Sequence, residues 1–298
     1  MEKVIVLTGP TGIGKTALSI EIAKYLKTDI INGDAFQIYK GIEIATASPK
    51  ENEKNEVNHV LFNFLDATSE FSISDYQKLV RGKINEQINN NLVPFIVGGS
   101  GLYINSVVYD YQFSENKRSA TLKEEYANLT NEELHNILKQ VDYEASMKIH
   151  PNNRKRVERA IELVNDKDSV NMQNEKVPYY DALILFLDMP RDILYDRINK
   201  RVDEMVKEGL LLEFEKMYPD KLGLQSSRAI GVQELIEYKK GNLTLDEAID
   251  LIKQHSRNYA KRQITWFKHK AVCHIIDKEK TTKEDVFNLI NNFLNEGK

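Results

Sequence analysis

The stretch VIVLTGPTGIGKT, from Val4 to Thr16, decides the fold. Its second part, Gly9-Pro10-Thr11-Gly12-Ile13-Gly14-Lys15-Thr16, fits the phosphate-loop pattern G-x-x-x-x-G-K-[ST] at every fixed position. An apolar run precedes it and a helical stretch, Lys15 to Leu26, follows, as the pattern requires. Glycines let consecutive backbone N–H groups turn inward on an anion, and the next helix points its positive end at the same place. Lys15 supplies a point charge and Thr16 a hydroxyl suited to Mg²⁺. The pattern names a phosphate without saying whose.

Outward from the loop, short apolar runs alternate with helical spacing. Asp29–Ile31 reads as a second strand and Pro94–Val97 as a third. Ala182–Asp188 and Val272–Ile276 bring the set to about five. Ser74–Ile88 has the spacing of a helix, with Ser72 or Ser74 as its cap. Alternating strands and helices predict an α/β fold: a P-loop-containing parallel sheet with flanking helices. Ligands then collect at the carboxyl ends of the strands. The gap between the third and fourth strands holds a polar, helix-patterned segment with stripes at Leu134, Ile137, Leu138, Val141 and at Val157, Ile161, Val164. This predicts an inserted, mostly helical domain over 113–179, with 1–112 and 180–298 forming the core. Asn165–Lys176 reads as a loop, and Ile193–Leu212 as one amphipathic helix.

Composition narrows the class. Of 298 residues 41% are hydrophobic and 29% charged, which suits a globular protein, and no apolar run reaches membrane-span length. One cysteine, Cys273, excludes a disulfide framework and a cysteine-based zinc site. A loop beginning at residue 9 leaves no room for a secretory leader, so the cytoplasm is the expected location. The net charge of −4 argues against a wholly basic surface. Two local clusters stand out: five Lys/Arg from Lys148 to Arg159 against Glu158 alone, and six from Lys253 to Lys270 with no acid. Two such clusters in a net acidic chain point to a polyanion.

Further chemistry sits at strand ends. Asp34 follows the second strand in NGDAFQIY, and a carboxylate there is able to bind metal, take a proton from a nucleophile, or cap a helix. The third strand ends in Gly98-Gly99-Ser100, where nucleotide hydrolases often carry a metal-binding Asp. Ser100 would be a weak neutral partner for metal or phosphate. This disfavours a motor-type NTPase. Arg228, in SSRAIG, reads either as an arginine able to neutralise charge on departing phosphates or as an ordinary surface arginine. Arg197 and Arg201 read as part of a solvated helix face, with a lid role as the alternative, and Trp266 as a packing aromatic or an RNA-stacking one.

With these segments in order, the chain resembles the bacterial tRNA dimethylallyltransferase (tRNA isopentenyltransferase) family. The likeness runs through GPTGIGKT (9–16), INGDAFQIYKGIEIATASP (31–49), NHVLFNFLD (58–66), FSISDY (71–76), PFIVGGSGLYI (94–104), NRKRVERAIE (153–162), LYDRINKRVDEMVKEGLLLE (194–213), SSRAIGVQEL (226–235) and NYAKRQITWF (258–267). The resemblance implies transfer of a dimethylallyl group from dimethylallyl diphosphate to the exocyclic amine of the adenine 3′ of the anticodon. It implies Mg²⁺ as cofactor, the tRNA anticodon stem-loop as partner, no membrane, and a monomer. It makes Asp34 the general base, Ser100 a helper at the reaction centre, and Lys15 and Arg228 diphosphate ligands. It assigns tRNA contact to Asp34, Ala35, Phe36, Gln37 and Ser100, and to Lys155, Arg156, Val157, Glu158 and Arg159. The sequence departs from the usual pattern at Ala35 (Ser), Phe36 (Met), Ala45 (Gly), Ser48 (Lys), Asn58 (His) and Val232-Gln233 (Tyr-Lys). Rival readings are a small-molecule kinase, a prenyltransferase of free adenine nucleotides, and an RNA-binding protein with a degenerate loop.

Overall fold

The structure, a computed structural model, describes residues 1–113, 125–165 and 177–296. Six strands, β1 (Lys3–Thr8), β2 (Ile30–Asn32), β3 (His59–Val60), β4 (Phe95–Gly98), β5 (Asp181–Asp188) and β6 (His274–Asp277), form one sheet in the order β3-β2-β4-β1-β5-β6. Every pairing is parallel; Leu7 lies opposite Val97 on one side and Leu185 on the other. The β1 and β5 sequences, KVIVLT and DALILFLD, lack polar alternation because helices cover both faces of a parallel sheet. From β1 the chain passes over β4 to β2, whereas β5 and β6 lie on the other flank. The crevice beside the end of β1 is therefore the switch point at which ligands bind in such sheets.

Local sequence sets the helices that frame this crevice. Helix Lys15–Leu26 begins where the phosphate loop ends. Helix Ile73–Asn89 starts at a capping box in which Ser72 Oγ accepts from Asp75 N–H at 3.1 Å and Asp75 Oδ2 accepts from Ser72 N–H at 3.0 Å. The 26-residue helix Leu245–Lys270 joins two apolar clusters. Its first half places Ala248 and Ile252 among Ile38, Tyr39, Leu210 and Phe214, and its second half places Ala260, Ile264 and Phe267 against the sheet. Burying each large apolar side chain stabilises the fold by about 1.5–3 kcal/mol. Both halves of this helix are thus anchored in apolar clusters.

Three expectations change. The two-residue β3 adds a sixth strand, too short to show as an apolar run. The last strand starts at His274, leaving Val272 87% exposed. The single helix expected over 193–212 is two, Arg191–Lys207 and Leu210–Met217, broken at Gly209, whose φ of 101° a right-handed helix does not admit.

The chain divides into two compact units, Met1–Tyr109 with Pro178–Lys298, and Asp110–Val177, a few residues from the boundaries expected at 112/113 and 179/180. The second unit is helical in its described residues: Asn131–Val141, Tyr143–Lys148 and Arg154–Asn165 close around Tyr126, Leu134, Leu138, Val157 and Ile161. Leu134 and Leu138 are buried as the stripe predicts, while Val141 is exposed. The loop expected over Asn165–Lys176 lies almost wholly outside the described residues. No helix among the described residues is long and apolar enough to cross a membrane.

Candidate active site

Several carbonyl oxygens of the loop after β1 accept hydrogen bonds from nearby cations. Lys15 Nζ donates to the carbonyls of Gly9 (2.9 Å) and Pro10 (3.1 Å). Arg197 Nε donates to Gly12 O (3.0 Å) and Lys278 Nζ to Gly14 O (3.1 Å). Arg201 reaches Thr11 Oγ1 at 3.3 Å and the Ala47 carbonyl at 3.4 Å. Gly14 has φ of 88°, and a Cβ there would sit 2.7 Å from Lys278 Nζ, so this turn requires glycine. Burial pulls the Lys15 ammonium down to about 8, with Asp34 opposing the shift and Arg201 and Lys278 adding to it. A cation so desolvated is ready for an anion.

Asp34 stands on a built turn at the end of β2. Asn32, fully buried, accepts from Asp34 N–H (2.8 Å) and donates to Asp34 O (3.2 Å) and Leu61 O (3.0 Å). Asp34 Oδ1 accepts from Phe36 N–H at 3.0 Å. No helix follows; the next is Glu43–Thr46, so the helix-cap alternative for Asp34 is set aside. Its Oδ2 accepts no hydrogen bond among the described residues. Ser100, at the end of β4, accepts from Ala35 N–H at 3.0 Å and lies 3.4 Å from the Tyr259 hydroxyl. Burial, with Asp34 nearby, raises the Tyr259 hydroxyl well above its ordinary value, so it stays protonated. Gln37 donates to Thr46 O and Ala47 O, fixing the far side of the same turn.

These pieces enclose one cavity of about 660 Å³. Thr11, Gly12, Gly14, Lys15 and Thr16 line it with Asp34, Phe36, Gln37 and Arg228. Gly9, Pro10, Ile13, Ala35 and Ser100 are not among its lining residues. Six cations face the cavity (Lys15, Arg197, Lys200, Arg201, Arg228, Arg262) against two carboxylates, Asp34 and Glu204. Lys200 pairs with Asp196 at 2.7 Å. The other five form no ion pair within 4.0 Å among the described residues. Of these five, Lys15 and Arg201 are half-buried and Arg197, Arg228 and Arg262 are exposed; for the two half-buried ones an unpaired charge is costly unless a ligand supplies the counter-charge. Arg201, half-buried, turns onto the loop against the expectation of a solvated face, while Arg197 stays exposed as expected and donates to the loop from there.

The comparisons with known proteins agree with this geometry. A family model described as IPP transferase matches residues 37–270. The chain belongs to the IPP transferase family. The tRNA dimethylallyltransferase of Bacillus pumilus (strain SAFR-032) is 44% identical over 304 residues, covering 96% of this chain and 94% of that one. That of Bacillus subtilis (strain 168) is 45% identical over 278 residues, covering 90% and 88%. A solved tRNA isopentenylpyrophosphate transferase from Staphylococcus epidermidis is 38% identical, with a TM-score of 0.74 over the whole of both chains. A eukaryotic dimethylallyltransferase solved acting on tRNA is 25% identical with a TM-score of 0.84, covering 99% of this chain and 80% of that one.

In this member of the family the second predicted tRNA segment lies in the helical unit, on helix Arg154–Asn165. Lys155 and Arg156 are exposed, whereas Val157 is fully buried, so its side chain serves packing. Glu158 accepts from Arg154 at 2.8 Å, and Arg159 pairs with Glu162 at 3.1 Å. The acid-free run from Lys253 to Lys270 also looks different in three dimensions. Asp203 and Asp188 pair with Lys253 (2.6 Å) and Lys268 (2.9 Å), while Arg262 faces the cavity. Trp266 packs against the main core, its ring over Gly101.

Sequence reading missed Gln263. Buried one turn beyond Tyr259, it accepts from Thr11 N–H (2.8 Å) and donates to Gly99 O (2.9 Å), tying the phosphate loop to the end of β4. Its signal was faint: a glutamine within the stripe Ala260, Ile264, Phe267, where an apolar residue would be ordinary.

Proposed function

We propose that the protein transfers a dimethylallyl group from dimethylallyl diphosphate to the exocyclic amine of the adenine 3′-adjacent to the anticodon of tRNA, releasing diphosphate. The observation that carries this reading is one cavity with unpaired loop cations on one wall and the Asp34 carboxylate on another. β4 ends in glycines and a serine, with no metal-binding acid of the kind hydrolases carry. The relatives named above are tRNA dimethylallyltransferases, which supports the same chemistry here.

The amine nitrogen attacks C1 of the allyl group while the C1–O bond to diphosphate breaks. The bonding pair leaves on the diphosphate oxygen, and the amine proton passes to Asp34 Oδ2, the oxygen left without a donor. An adenine amine is a weak nucleophile, so a base within reach matters as the bond forms. The loop N–H groups, Lys15 and Arg228 stabilise the charge that develops on the leaving group. The phenol of Tyr259 and the amide of Gln263 hold the wall between loop and base in place. No cluster of three or more His, Cys, Asp or Glu is placed to cage an ion among the described residues, which fits a metal held mostly by substrate oxygens and water. Mg²⁺, with Thr16 as its protein ligand, would add positive charge at the leaving diphosphate.

The adenine must leave the anticodon loop to reach such a cavity, as is usual for chemistry on a base. The exposed Lys155 and Arg156 of the helical unit bind RNA phosphates, and Asp34 to Gln37 read the extruded base. The enzyme works as a cytoplasmic monomer. The test is to incubate the protein and Mg²⁺ with dimethylallyl diphosphate and unmodified tRNA. The RNA should gain the mass of one prenyl group, located by nuclease digestion at the base after the anticodon. Prenylation of free adenine nucleotide with none on tRNA, or ATP-dependent phosphoryl transfer, would sink this reading.

A further inference from the structure

Glu234 is a buried carboxylate, 2% exposed, that the chemistry above does not use. It lies in the first turn of helix Val232–Lys239. Its Oε2 accepts from Gly231 N–H at 2.7 Å, and its Oε1 from Gln233 Nε2 at 2.8 Å. His255 Nδ1 donates to the same Oε1 at 2.5 Å. A carboxylate taken out of water needs such partners, and here no Lys or Arg is among them. Satisfying it this fully suggests a purpose beyond packing.

Its neighbours give that purpose. Gly231 closes the turn Arg228-Ala229-Ile230, all three of which line the cavity. His255 sits on helix Leu245–Lys270 just before Ser256, Tyr259 and Arg262, which line another part of the same wall. The Arg228 side chain is exposed and its guanidinium has no hydrogen-bond partner among the described residues, so what the protein fixes is the turn from which it reaches into the cavity. We propose that Glu234 and His255 are positioning residues: they lock the Arg228 turn to the cavity helix and so hold the guanidinium against the departing diphosphate. This rests on the prenyl transfer proposed above.

The test is a double-mutant cycle read by single-turnover prenyl transfer at saturating substrates. His255→Leu, at a side chain 41% exposed, should slow transfer about tenfold, the scale of a displaced charge, without moving the KM for tRNA. His255→Gln keeps an amide donor and should recover most of the rate. In an Arg228→Ala background the Leu substitution should cost less than twofold, because coupled sites are not additive. Equal losses in both backgrounds, a KM for tRNA that rises as far as the rate falls, or full activity of His255→Leu would overturn the proposal. If His255→Leu does not fold, the same cycle is run with His255→Gln, where any loss must again vanish beside Arg228→Ala. A wild-type protein that prenylates no tRNA would instead contradict the function.

Discussion

Two cation-rich regions of this molecule treat their charges in opposite ways. Around the phosphate loop, Lys15, Arg197, Arg201, Arg228 and Lys278 have no carboxylate partner within ion-pair distance among the described residues; most are spent on loop carbonyls. On helix Arg154–Asn165, Arg154 and Arg159 are matched by Glu158 and Glu162 on the same helix, and only Lys155 and Arg156 stand out in solvent. On the proposed function, the first arrangement serves a compact, multiply charged anion. On the same proposal, the second serves a diffuse polyanion met at the surface, where salt screens each interaction. Charge count alone does not separate them; pairing with carboxylates does.

The contrast is broken most directly at Lys15. Lys15→Met should lower single-turnover transfer by ~10²–10³-fold, the cost of removing one preorganised charge from a developing oxyanion. The thermal midpoint should change little, because relief of the ammonium's desolvation cost offsets the two carbonyl hydrogen bonds that are lost. A fall of many degrees would mean that Lys15 is mainly structural. The same group gives a pH signature. With the ammonium held at about 8, its cationic form is lost as pH rises through that value. Bound diphosphate favours the cation, so affinity for diphosphate should be flat below about pH 8 and fall up to about tenfold per unit above it. In Lys15→Met this inflection should disappear.

A smaller effect is expected at the joint between loop and β4. Gln263→Leu removes two hydrogen bonds, worth about 0.5–1.5 kcal/mol each, and frees Thr11 N–H. Calorimetry should show a lower midpoint together with weaker diphosphate binding, and unchanged affinity for RNA. Smallest at the level of chemistry is Arg156→Ala. It should weaken tRNA binding at low salt and make the log–log salt dependence shallower by about 0.7–0.9 for each phosphate that is no longer neutralised. The rate at saturation should stay as it was.

Much of this was written in the sequence where local rules suffice. The loop, the flanking apolar runs, and the Ser72 cap each depend on residues within a few positions. Asp34 and Arg228 were also visible, as odd residues at predicted strand ends and turns. What escaped depended on distance. Arg201 meets Thr11 across 190 positions and Gln263 meets it across 252, and neither pairing has a spacing rule. The break at Gly209 escaped because Met205, Val206 and Leu210 continue the apolar period across it, and only the backbone reveals the turn. The Lys253–Lys270 cluster looked unneutralised because its acids, Asp203 and Asp188, come from other elements.

The central claim is that the cavity divides its labour: loop cations hold the diphosphate, and Asp34 receives the proton. Asp34→Asn keeps the shape of the turn and removes only the base. Single-turnover transfer measured beside equilibrium binding of tRNA and of dimethylallyl diphosphate should show a rate lower by ~10²-fold or more, within the range of general-base contributions, with both affinities nearly unchanged. Equal losses in rate and in tRNA affinity would contradict the account and make Asp34 a binding residue.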